Sequence, residues 1–336
     1  MENVNIIPFN EVEAEEVSWL FYPYIAYGKV TLLGGEAGCG KTMVALALAS
    51  ILSNGGKLPL QTEETEPINI LYQTAEDGLA DTIIPRLLRF GANMERISAI
   101  CTDKYLTFSN REQIEQAIVR KNIRLMIFDP FQAFVGKANM SSANDMRSTV
   151  REIIEVAQKH KCAVIITCHT SKSANYANLL QRILGSVDIG AIARSALYLT
   201  NHPTKKDVKL LCHIKSNLAP IGQSIEFQIT NKGIDWLGYS EIAEKDLLGH
   251  SADSAFQNAI DFLKMLLANE NMPSTKVYDM AASAGIGFTT LKKAKRYLGI
   301  KAAKIGNIWY FKQYQPKPTN KKSSPKIELD EKNLVG

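Results

Sequence analysis

Residues 35–42 read Gly35-Glu36-Ala37-Gly38-Cys39-Gly40-Lys41-Thr42. This run matches the phosphate-binding pattern G-x-x-x-x-G-K-[ST] in full. A short apolar run, Val30–Leu33, precedes it, and Met43–Ala49, rich in strong helix formers, follows it. Strand, glycine loop and helix thus come in the order that phosphate binding requires, because glycines let backbone N–H groups surround phosphate oxygens at a helix N-terminus. The pattern predicts that the chain binds a nucleoside triphosphate.

Each part of the loop has an expected role toward ATP. The backbone from Gly35 to Met43 is expected to hold the phosphates. Lys41 is expected to reach the β- and γ-phosphates, and Thr42 to ligate Mg²⁺. The alternative interpretation is a chance glycine turn between a strand and a helix, which predicts no affinity for nucleotides.

Composition limits the class of protein. The chain has 336 residues, of which 46% are hydrophobic and 22% charged, values typical of a globular protein with one large and one small domain. Its longest apolar runs have the length of strands, and the N-terminus lacks the basic and apolar regions of a secretory signal. Five scattered cysteines without a C-x-x-C pair favour a reducing compartment over structural zinc. We therefore expect a cytoplasmic protein without membrane contacts.

Charge is distributed unevenly along the chain. Residues 1–252 hold 25 Lys and Arg against 27 Asp and Glu, whereas residues 253–336 hold 14 against 7. From Gly285 to Lys326 there are eleven basic residues and no acidic one. Such a one-sided segment indicates a polyanionic partner, with a solvated basic surface as the alternative.

The chain from about Gly28 to Gly238 alternates between strand-like and helix-like segments. This alternation predicts an α/β fold, a three-layer RecA-like core with a mostly parallel sheet and nucleotide at the carboxyl ends of its strands. The predicted strands are Val30–Leu33, Asn69–Gln73, Leu125–Phe128, Ala163–Thr167, Ser195–Thr200, Val208–Ile214, Ser224–Ile229 and Gly233–Gly238. We assign residues 1–250 to this ATPase domain.

A different pattern follows from about residue 253. An amphipathic helix is predicted over Ala255–Ala268, then a short helix that ends at Gly285, and then a third helix over Leu291–Leu298. Gly306-Asn307 between two apolar runs predicts a hairpin. Three helices and a hairpin indicate a winged helix-turn-helix domain over residues 253–313, followed by a basic, disordered tail over 314–336. The third helix brings three cations together at i, i+3 and i+4, namely Lys292, Lys295 and Arg296.

Two carboxylates follow predicted strands and extend the site. Asp129 ends the apolar strand Leu125–Phe128, where it can hold Mg²⁺ through water beside Thr42. Glu76 follows the strand Asn69–Gln73, where it can orient or deprotonate the attacking water. Asp77 is the competing candidate for that second role, and a surface acid in a turn is the alternative for Glu76.

These motifs together resemble one known family. The glycine loop, Ala75-Glu76-Asp77, Phe128-Asp129-Pro130, Asn144-Asp145 and Cys168-His169-Thr170-Ser171-Lys172 are similar, in this order, to motifs of the RepA-type RecA-fold ATPases. That family comprises hexameric plasmid and phage replicative helicases and their relatives, often called AAA-family ATPases, and the resemblance covers about residues 15–240. It implies that Glu76 is the catalytic carboxylate and that His169 senses the γ-phosphate, with a satisfied core or loop histidine as the alternative.

The resemblance also implies loops that contact DNA and a site shared between subunits. Ser171–Arg182, with Lys172 and Arg182, and Val135–Arg147, with Lys137, would line the pore of a ring around single-stranded DNA. A neighbouring subunit would supply a cation to the γ-phosphate.

Two residues are candidates for the cation that acts in trans. Arg194 is the first candidate and Lys215 the second. Similar helicases carry a Lys and then an Arg two residues later, but the second position here is Asn217. For both candidates the alternative is an ordinary surface cation.

Three functions agree with these features. The first is a DNA-dependent ATPase motor, a replicative-type helicase that hydrolyses ATP at the subunit interfaces of a homo-oligomeric ring. The second is an ATP-switched DNA-binding regulator of plasmid or phage replication or transcription, with site-specific duplex binding and no strand separation. The third is a helicase loader or recombination mediator without unwinding activity.

Overall fold

A computed structural model describes residues 6–102, 106–136, 143–170, 178–184 and 193–314. The chain divides into two units, Met1–His250 and Ser251–Gly336, which are described separately below. Within the described residues, no helix combines the length and hydropathy needed to cross a bilayer. The predicted tail lies outside the described residues from 315 onward.

The first unit carries eleven of the strands in the described residues, and five of the α-helices in those residues lie wholly within it. Its strands are β1 Trp19–Phe21, β2 Ile25–Ala26, β3 Val30–Gly35, β4 Asn69–Thr74, β5 Ile97–Ser98, β6 Ile123–Asp129, β7 Ala163–His169, β8 Ser195–Asn201, β9 Val208–Ser216, β10 Ser224–Thr230 and β11 Gly233–Ser240. Its helices are α1 Lys41–Asn54, α2 Ile84–Arg89, α3 Arg111–Lys121, α4 Ala143–Lys159 and α5 Leu179–Leu184.

One nine-stranded sheet organises the first unit, in the order β11-β10-β9-β8-β3-β7-β6-β4-β5. The strands from β5 to β8 along this order pair in parallel, and β9, β10 and β11 continue the sheet with antiparallel pairs. The prediction of a mostly parallel α/β sheet is therefore confirmed. Strand β3, which leads into the glycine loop, lies between β7 and β8 near the middle of the sheet.

The sheet is buried on both faces, which explains its continuous apolar strands. In β6, Leu125 and Ile127 pack in the same cluster as Leu46 of α1, whereas Met126 and Phe128 pack in the cluster that holds Ile153 of α4. Alternate side chains of one strand thus enter opposite layers, as expected for a parallel sheet covered by helices. Asp129 is the last residue of this buried strand and is itself buried.

The second unit contains α7 Ser274–Ser283, α8 Phe288–Tyr297 and a three-stranded sheet of β12 Met272–Pro273, β13 Ala302–Ile305 and β14 Ile308–Phe311, in the order β12-β14-β13. The predicted hairpin is present, with Ile305 paired to Ile308 and Gly306 at a φ of 61° in the left-handed region that favours glycine. Residues of α7, α8 and β14, including Val277, Leu291 and Phe311, share one apolar cluster.

Helix α6, Glu244–Leu266, begins eleven residues before the predicted Ala255. The sequence pattern changes near Leu247–Asp253, but the helix continues through this stretch. Acidic residues in its first turn favour this early start, because the Asp246 carboxylate accepts a hydrogen bond from the N–H of Ala243 at 2.9 Å.

Candidate nucleotide-binding site

The glycine loop joins β3 to α1 at the carboxyl edge of the parallel strands. Gly38 and Gly40 have φ values of 75° and 100°, in the region that L side chains rarely adopt. A Cβ at Gly40 would lie 2.6 Å from Cδ1 of Ile229. Gly38 and Gly40 are therefore required by conformation, and Gly40 also by the space that Ile229 leaves.

Lys41 is buried, with 7% of its surface exposed, and its amine is held by the loop itself. Nζ donates to the carbonyl oxygens of Gly35 at 2.9 Å and of Glu36 at 3.0 Å. Gly40 at the N-cap of α1 supplies no side-chain cap, so the positive end of a 14-residue helix faces the loop. A buried ammonium group and an uncapped helix N-terminus fit a bound triphosphate.

Asp129 is held at the end of β6 by two hydroxyl donors. Tyr72 donates to Oδ2 at 2.9 Å, and Thr167 donates a short hydrogen bond to Oδ1. Burial and the neighbouring Asp129 charge raise the pKa of Tyr72 well above its usual value, so the phenol remains a donor. An oriented carboxylate at this edge, together with the hydroxyl of Thr42, is the kind of oxygen donor set that Mg²⁺ prefers. Sequence analysis missed Tyr72 and Thr167, although both lie on the strands that flank β6.

Glu76 and His169, which the sequence singles out separately, lie together in the structure. His169 Nε2 is 3.3 Å from Glu76 Oε1, and both side chains are partly exposed. His169 pairs with Gly35 in the register of β3 and β7, so the histidine lies beside the start of the glycine loop. The pair therefore lies at the edge of the sheet that carries the glycine loop.

Asp77, the competing carboxylate, is engaged elsewhere. Its Oδ2 accepts from Arg86 Nη1 at 2.8 Å, and its N–H donates to Thr74 Oγ1 at 3.3 Å. These contacts tie Asp77 to α2 and to the turn after β4, whereas Glu76 faces His169.

Arg194 and Lys215 lie near the amino end of β3, whereas the glycine loop of the same chain follows the carboxyl end of β3. Ser195 pairs with Thr31 near the start of β3, and Lys215 pairs with Ala196. Four residues of strand, roughly 13 Å at the usual rise, separate Thr31 from Gly35. The two candidate cations are therefore near each other and remote from the loop.

The candidate DNA-binding cations have different surroundings. Arg182, on α5, is partly buried and hydrogen-bonded to Tyr198, whose own pKa is raised by burial. Lys137 and Lys172 lie outside the described residues. In the second unit, Lys292 and Arg296 are exposed, whereas the Lys295 ammonium lies 4.2 Å from the centre of the Phe311 ring. Lys295 is thus anchored to the core of its unit, and its pKa is lowered by burial and by Lys292.

A buried histidine supports the strand that carries Lys215. His213 Nε2 is 3.1 Å from Ser195 Oγ, and its Nδ1 accepts from the N–H of Gly222 at 2.9 Å. Ser195 Oγ in turn donates to the carbonyl of Tyr24 at 2.6 Å. Burial lowers the pKa of His213 to about 4, below its ordinary 6.5, because the imidazolium form would lose its solvation. Neutral His213 thus joins β8, β9 and the segment before β3.

We expect this histidine to make the protein sensitive to acid. Between pH 7 and pH 5, His213 becomes protonated in the unfolded chain but stays neutral in the folded protein. The free energy of unfolding therefore falls by about 2 kcal/mol over this range. Urea unfolding of the wild type and of His213→Asn at both pH values measures the effect. The variant is expected to be less stable at pH 7 and to show a smaller decrease. An equal decrease in both proteins would show that His213 does not cause it.

Comparison with known proteins places this site in a family. The family model of the AAA domain matches residues 4–175, just over half of the chain. The chain belongs to this AAA domain family. The matched range contains the glycine loop, Glu76, Asp129 and His169. Membership supports ATP binding and hydrolysis by a P-loop core, normally with Mg²⁺.

Two curated relatives of this AAA domain protein are the DNA repair protein RadA of Campylobacter jejuni and that of Helicobacter pylori. The first is 24% identical over 226 residues, which cover 66% of this chain and 43% of the relative. The second is 23% identical over 245 residues, which cover 70% and 47%. The chain therefore spans less than half the length of these relatives. A solved KaiC-like protein from Pyrococcus horikoshii aligns with a TM-score of 0.47 and 14% identity, over 67% of this chain and 98% of the other.

Proposed function

We propose that this protein is a DNA-dependent ATPase motor of the RepA type. It would be cytoplasmic and would hydrolyse ATP at the subunit interfaces of a ring, most simply a hexamer, around single-stranded DNA. The observation that carries the proposal is that the candidate catalytic residues and the candidate trans cations lie at opposite ends of the strands. Glu76 and His169 meet at the edge of the glycine loop, whereas Arg194 and Lys215 lie at the far edge of the same sheet. Such a chain needs a second copy to bring a cation to the γ-phosphate.

The residues near the loop have separate roles in this mechanism. Lys41 and the N-terminus of α1 bind the phosphates, and Thr42 and Asp129 would hold Mg²⁺, which neutralises phosphate charge when bound. Glu76 orients and activates the attacking water. His169 contacts Glu76 at 3.3 Å, so it can report the state of the terminal phosphate to the chain that follows β7. Segment 171–177, the next stretch of that chain, lies outside the described residues.

The candidate trans cations form a pair. Arg194 supplies the second positive charge, because Asn217 stands where similar helicases have an arginine. The N–H of Asn217 donates to the carbonyl of Arg194 at 2.9 Å, which brings the exposed Arg194 side chain next to the end of β9. Burial and then the Arg194 charge lower the pKa of Lys215, as expected for two cations that share one site. Together they restore the two positive charges that similar helicases carry on a single strand.

A mixing experiment tests whether this pair acts in trans. Arg194→Ala and Glu76→Gln are each expected to lower kcat at least about a hundredfold, since a cation supplied by a neighbour contributes orders of magnitude to phosphoryl transfer. Mixed at equal concentration, the two variants are expected to regain measurable ATPase activity. The regain arises at interfaces where an intact Glu76 of one copy meets an intact Arg194 of the next.

The control mixes Lys41→Ala with Glu76→Gln, two changes on the same side of the interface. No subunit in that mixture has both Lys41 and Glu76 intact, so no interface has a complete site and activity should stay absent. If Arg194→Ala with Glu76→Gln also stays inactive, although both variants assemble, then Arg194 acts within its own chain or not at all.

The second unit carries the features that would bind DNA. Its helices α7 and α8 and the β13–β14 hairpin have the order of a winged helix-turn-helix, and α8 exposes Lys292 and Arg296 on one face. The segment from Gly285 to Lys326 has eleven basic residues and no acidic one, which favours a polyanion. The names of the RadA relatives refer to DNA repair, which supports DNA as that polyanion.

Unwinding of a forked duplex distinguishes the motor from the other candidates. Strand separation that requires ATP and fails in Glu76→Gln supports the motor. ATP-dependent binding to one duplex sequence without unwinding would favour the regulator, for which the basic helix α8 is the supporting observation. Transfer of a partner protein onto DNA without unwinding would favour the loader or recombination mediator.

A further inference from the structure

The β13–β14 hairpin of the second unit exposes large apolar side chains at its tip. Trp309 is 53% exposed, and Ile305 and Ile308, the pair next to the turn, are exposed to a similar degree. Phe311 of β14 belongs to the apolar cluster of this unit, whereas these three side chains lie nearer the turn and remain in contact with water. A group of large exposed apolar side chains is typical of a contact surface.

The register of the hairpin determines which side chains share a face with Trp309. Ala302 pairs with Phe311, and Lys304 pairs with Trp309. Both pairs lie on the same face, because the side chains of a strand alternate between its two faces. The Cβ atoms of directly paired residues are roughly 5 Å apart. The exposed Lys304 side chain and the indole of Trp309 therefore form one surface.

Further cations lie beside this surface. The Lys295 ammonium of α8 is 4.2 Å from the centre of the Phe311 ring. Lys301 and Lys312 flank the base of the hairpin, where the N–H of Lys312 donates to the carbonyl of Lys301 at 2.9 Å, and both side chains are exposed. Residues 285–326 contain no acidic residue. A polyanion is therefore the partner whose charge complements this hairpin.

The exposed indole favours an unpaired strand over a continuous duplex. In a duplex the bases stack on one another and present only their edges in the grooves. An unpaired base offers a free aromatic face, and stacking of bases on aromatic side chains beside a basic surface is the usual way in which proteins bind single strands. Lys304, opposite Trp309, is placed to contact the phosphate that adjoins a base stacked on the indole.

We propose that the tip of this hairpin binds unpaired DNA, with Trp309 stacked on a base and Lys304 on the adjoining phosphate. The proposal rests on DNA as the partner in the proposed function, and it adds a contact that the basic helix α8 does not supply. The unpaired base can belong to a free single strand or to a strand that leaves a forked duplex, since both present the same chemistry.

The fluorescence of Trp309 itself tests the stacking in the full chain. The chain has three tryptophans, and Trp19 and Trp236 are partly buried in the first unit. In the double variant Trp19→Phe/Trp236→Phe, oligothymidylate and a forked duplex are both expected to quench the remaining emission. A relaxed closed-circular duplex, which has no unpaired ends, should leave it unchanged. Trp309→Phe, which keeps the other two tryptophans, is expected to lose the quenching.

Affinity measured over a range of salt concentrations separates stacking from charge. Trp309→Ala is expected to weaken oligothymidylate binding about tenfold at every salt concentration, because stacking on one base contributes roughly this much. Trp309→Phe should retain most of the affinity. Lys304→Ala should instead reduce the slope of log affinity against log salt by about 0.7, the value for one phosphate contact on a single strand. The control Tyr239→Ala, which removes an aromatic side chain of similar exposure from the first unit, should bind as the wild type does.

Unquenched Trp309 emission in a protein that binds oligothymidylate would overturn the proposal and leave DNA binding elsewhere on the chain intact. Unchanged affinity of Trp309→Ala, or equal quenching by the closed-circular duplex, would overturn it as well. Quenching that grows with protein concentration in the absence of DNA would assign the tip to a second copy of the chain instead. If the wild type binds no DNA at low salt, the proposed function fails, and this proposal fails with it.

Discussion

Replacing Lys41 with alanine is expected to abolish ATP turnover, with a loss of at least about a hundredfold in the rate of hydrolysis. A preorganised donor aimed at charge that develops in the transition state contributes about this much in known enzymes. Lys41 is buried and donates to two loop carbonyls, so its amine is already confined to the site before ATP binds. The measurement is steady-state phosphate release at saturating Mg²⁺ and ATP.

The control for this variant is Lys121→Ala, which removes an exposed lysine from the last turn of α3. Its turnover should equal that of the wild type. Lys41 also donates to two carbonyl oxygens of the loop, so its loss could lower activity by destabilising the fold. The melting temperature of Lys41→Ala must therefore stay near the wild-type value for the result to count. Turnover at the wild-type rate in a folded Lys41→Ala protein would contradict the assignment of the glycine loop as the nucleotide site.

The second large effect is expected for Glu76→Gln. This variant should bind ATP normally and hydrolyse it about a hundredfold more slowly, because loss of a general base costs about 10²–10⁴ in rate. Glutamine keeps the size and the hydrogen-bonding reach of the side chain but cannot accept the proton of water. Single-turnover hydrolysis, measured together with ATP affinity, separates the two steps.

Asp77→Asn is the matched comparison, since it removes the neighbouring carboxylate. Asp77 is paired with Arg86 at 2.8 Å, so its loss should affect the turn after β4 more than the chemistry. Slow hydrolysis with normal ATP affinity in Asp77→Asn, and normal hydrolysis in Glu76→Gln, would reverse the assignment of the two carboxylates.

Much of the core could be predicted from sequence because burial on both faces leaves a strong local signal. Strands such as Leu125–Phe128 are continuous apolar runs, and the sheet extends this one to Ile123–Asp129. The glycine loop was predictable for another reason, since its conformation needs glycine at fixed spacing. Asp129 was predictable as the first polar residue after an apolar strand that lies downstream of the glycine loop.

The contacts between distant segments could not be predicted in the same way. Tyr72 and Thr167 both bond to Asp129, but they lie 57 and 38 residues from it in the chain. Their meeting depends on the strand order β7-β6-β4, which residue pattern alone does not encode. The proximity of Arg194 and Lys215 depends in the same way on the pairing of β8 with β9.

Local pattern also misled in two places. The start of α6 was predicted eleven residues late, because the amphipathic pattern is clear only from Ala255, whereas acidic residues in the first turn favour a start at Glu244. Helical spacing grouped Lys295 with Lys292 and Arg296, but the ring of Phe311 draws the Lys295 ammonium toward the core. In the first case a local signal at the helix start was overlooked, and in the second a tertiary contact outweighed the helical spacing.

The most direct test of the account is the rate of ATP hydrolysis measured with and without single-stranded DNA in the same preparation. A DNA-dependent motor should hydrolyse ATP at least about tenfold faster when saturated with single-stranded DNA, a decrease of about 1.4 kcal/mol in the activation free energy. The stimulation should weaken as salt is raised, because phosphate contacts release counterions. A rate that single-stranded DNA leaves unchanged at low salt would contradict the proposed function.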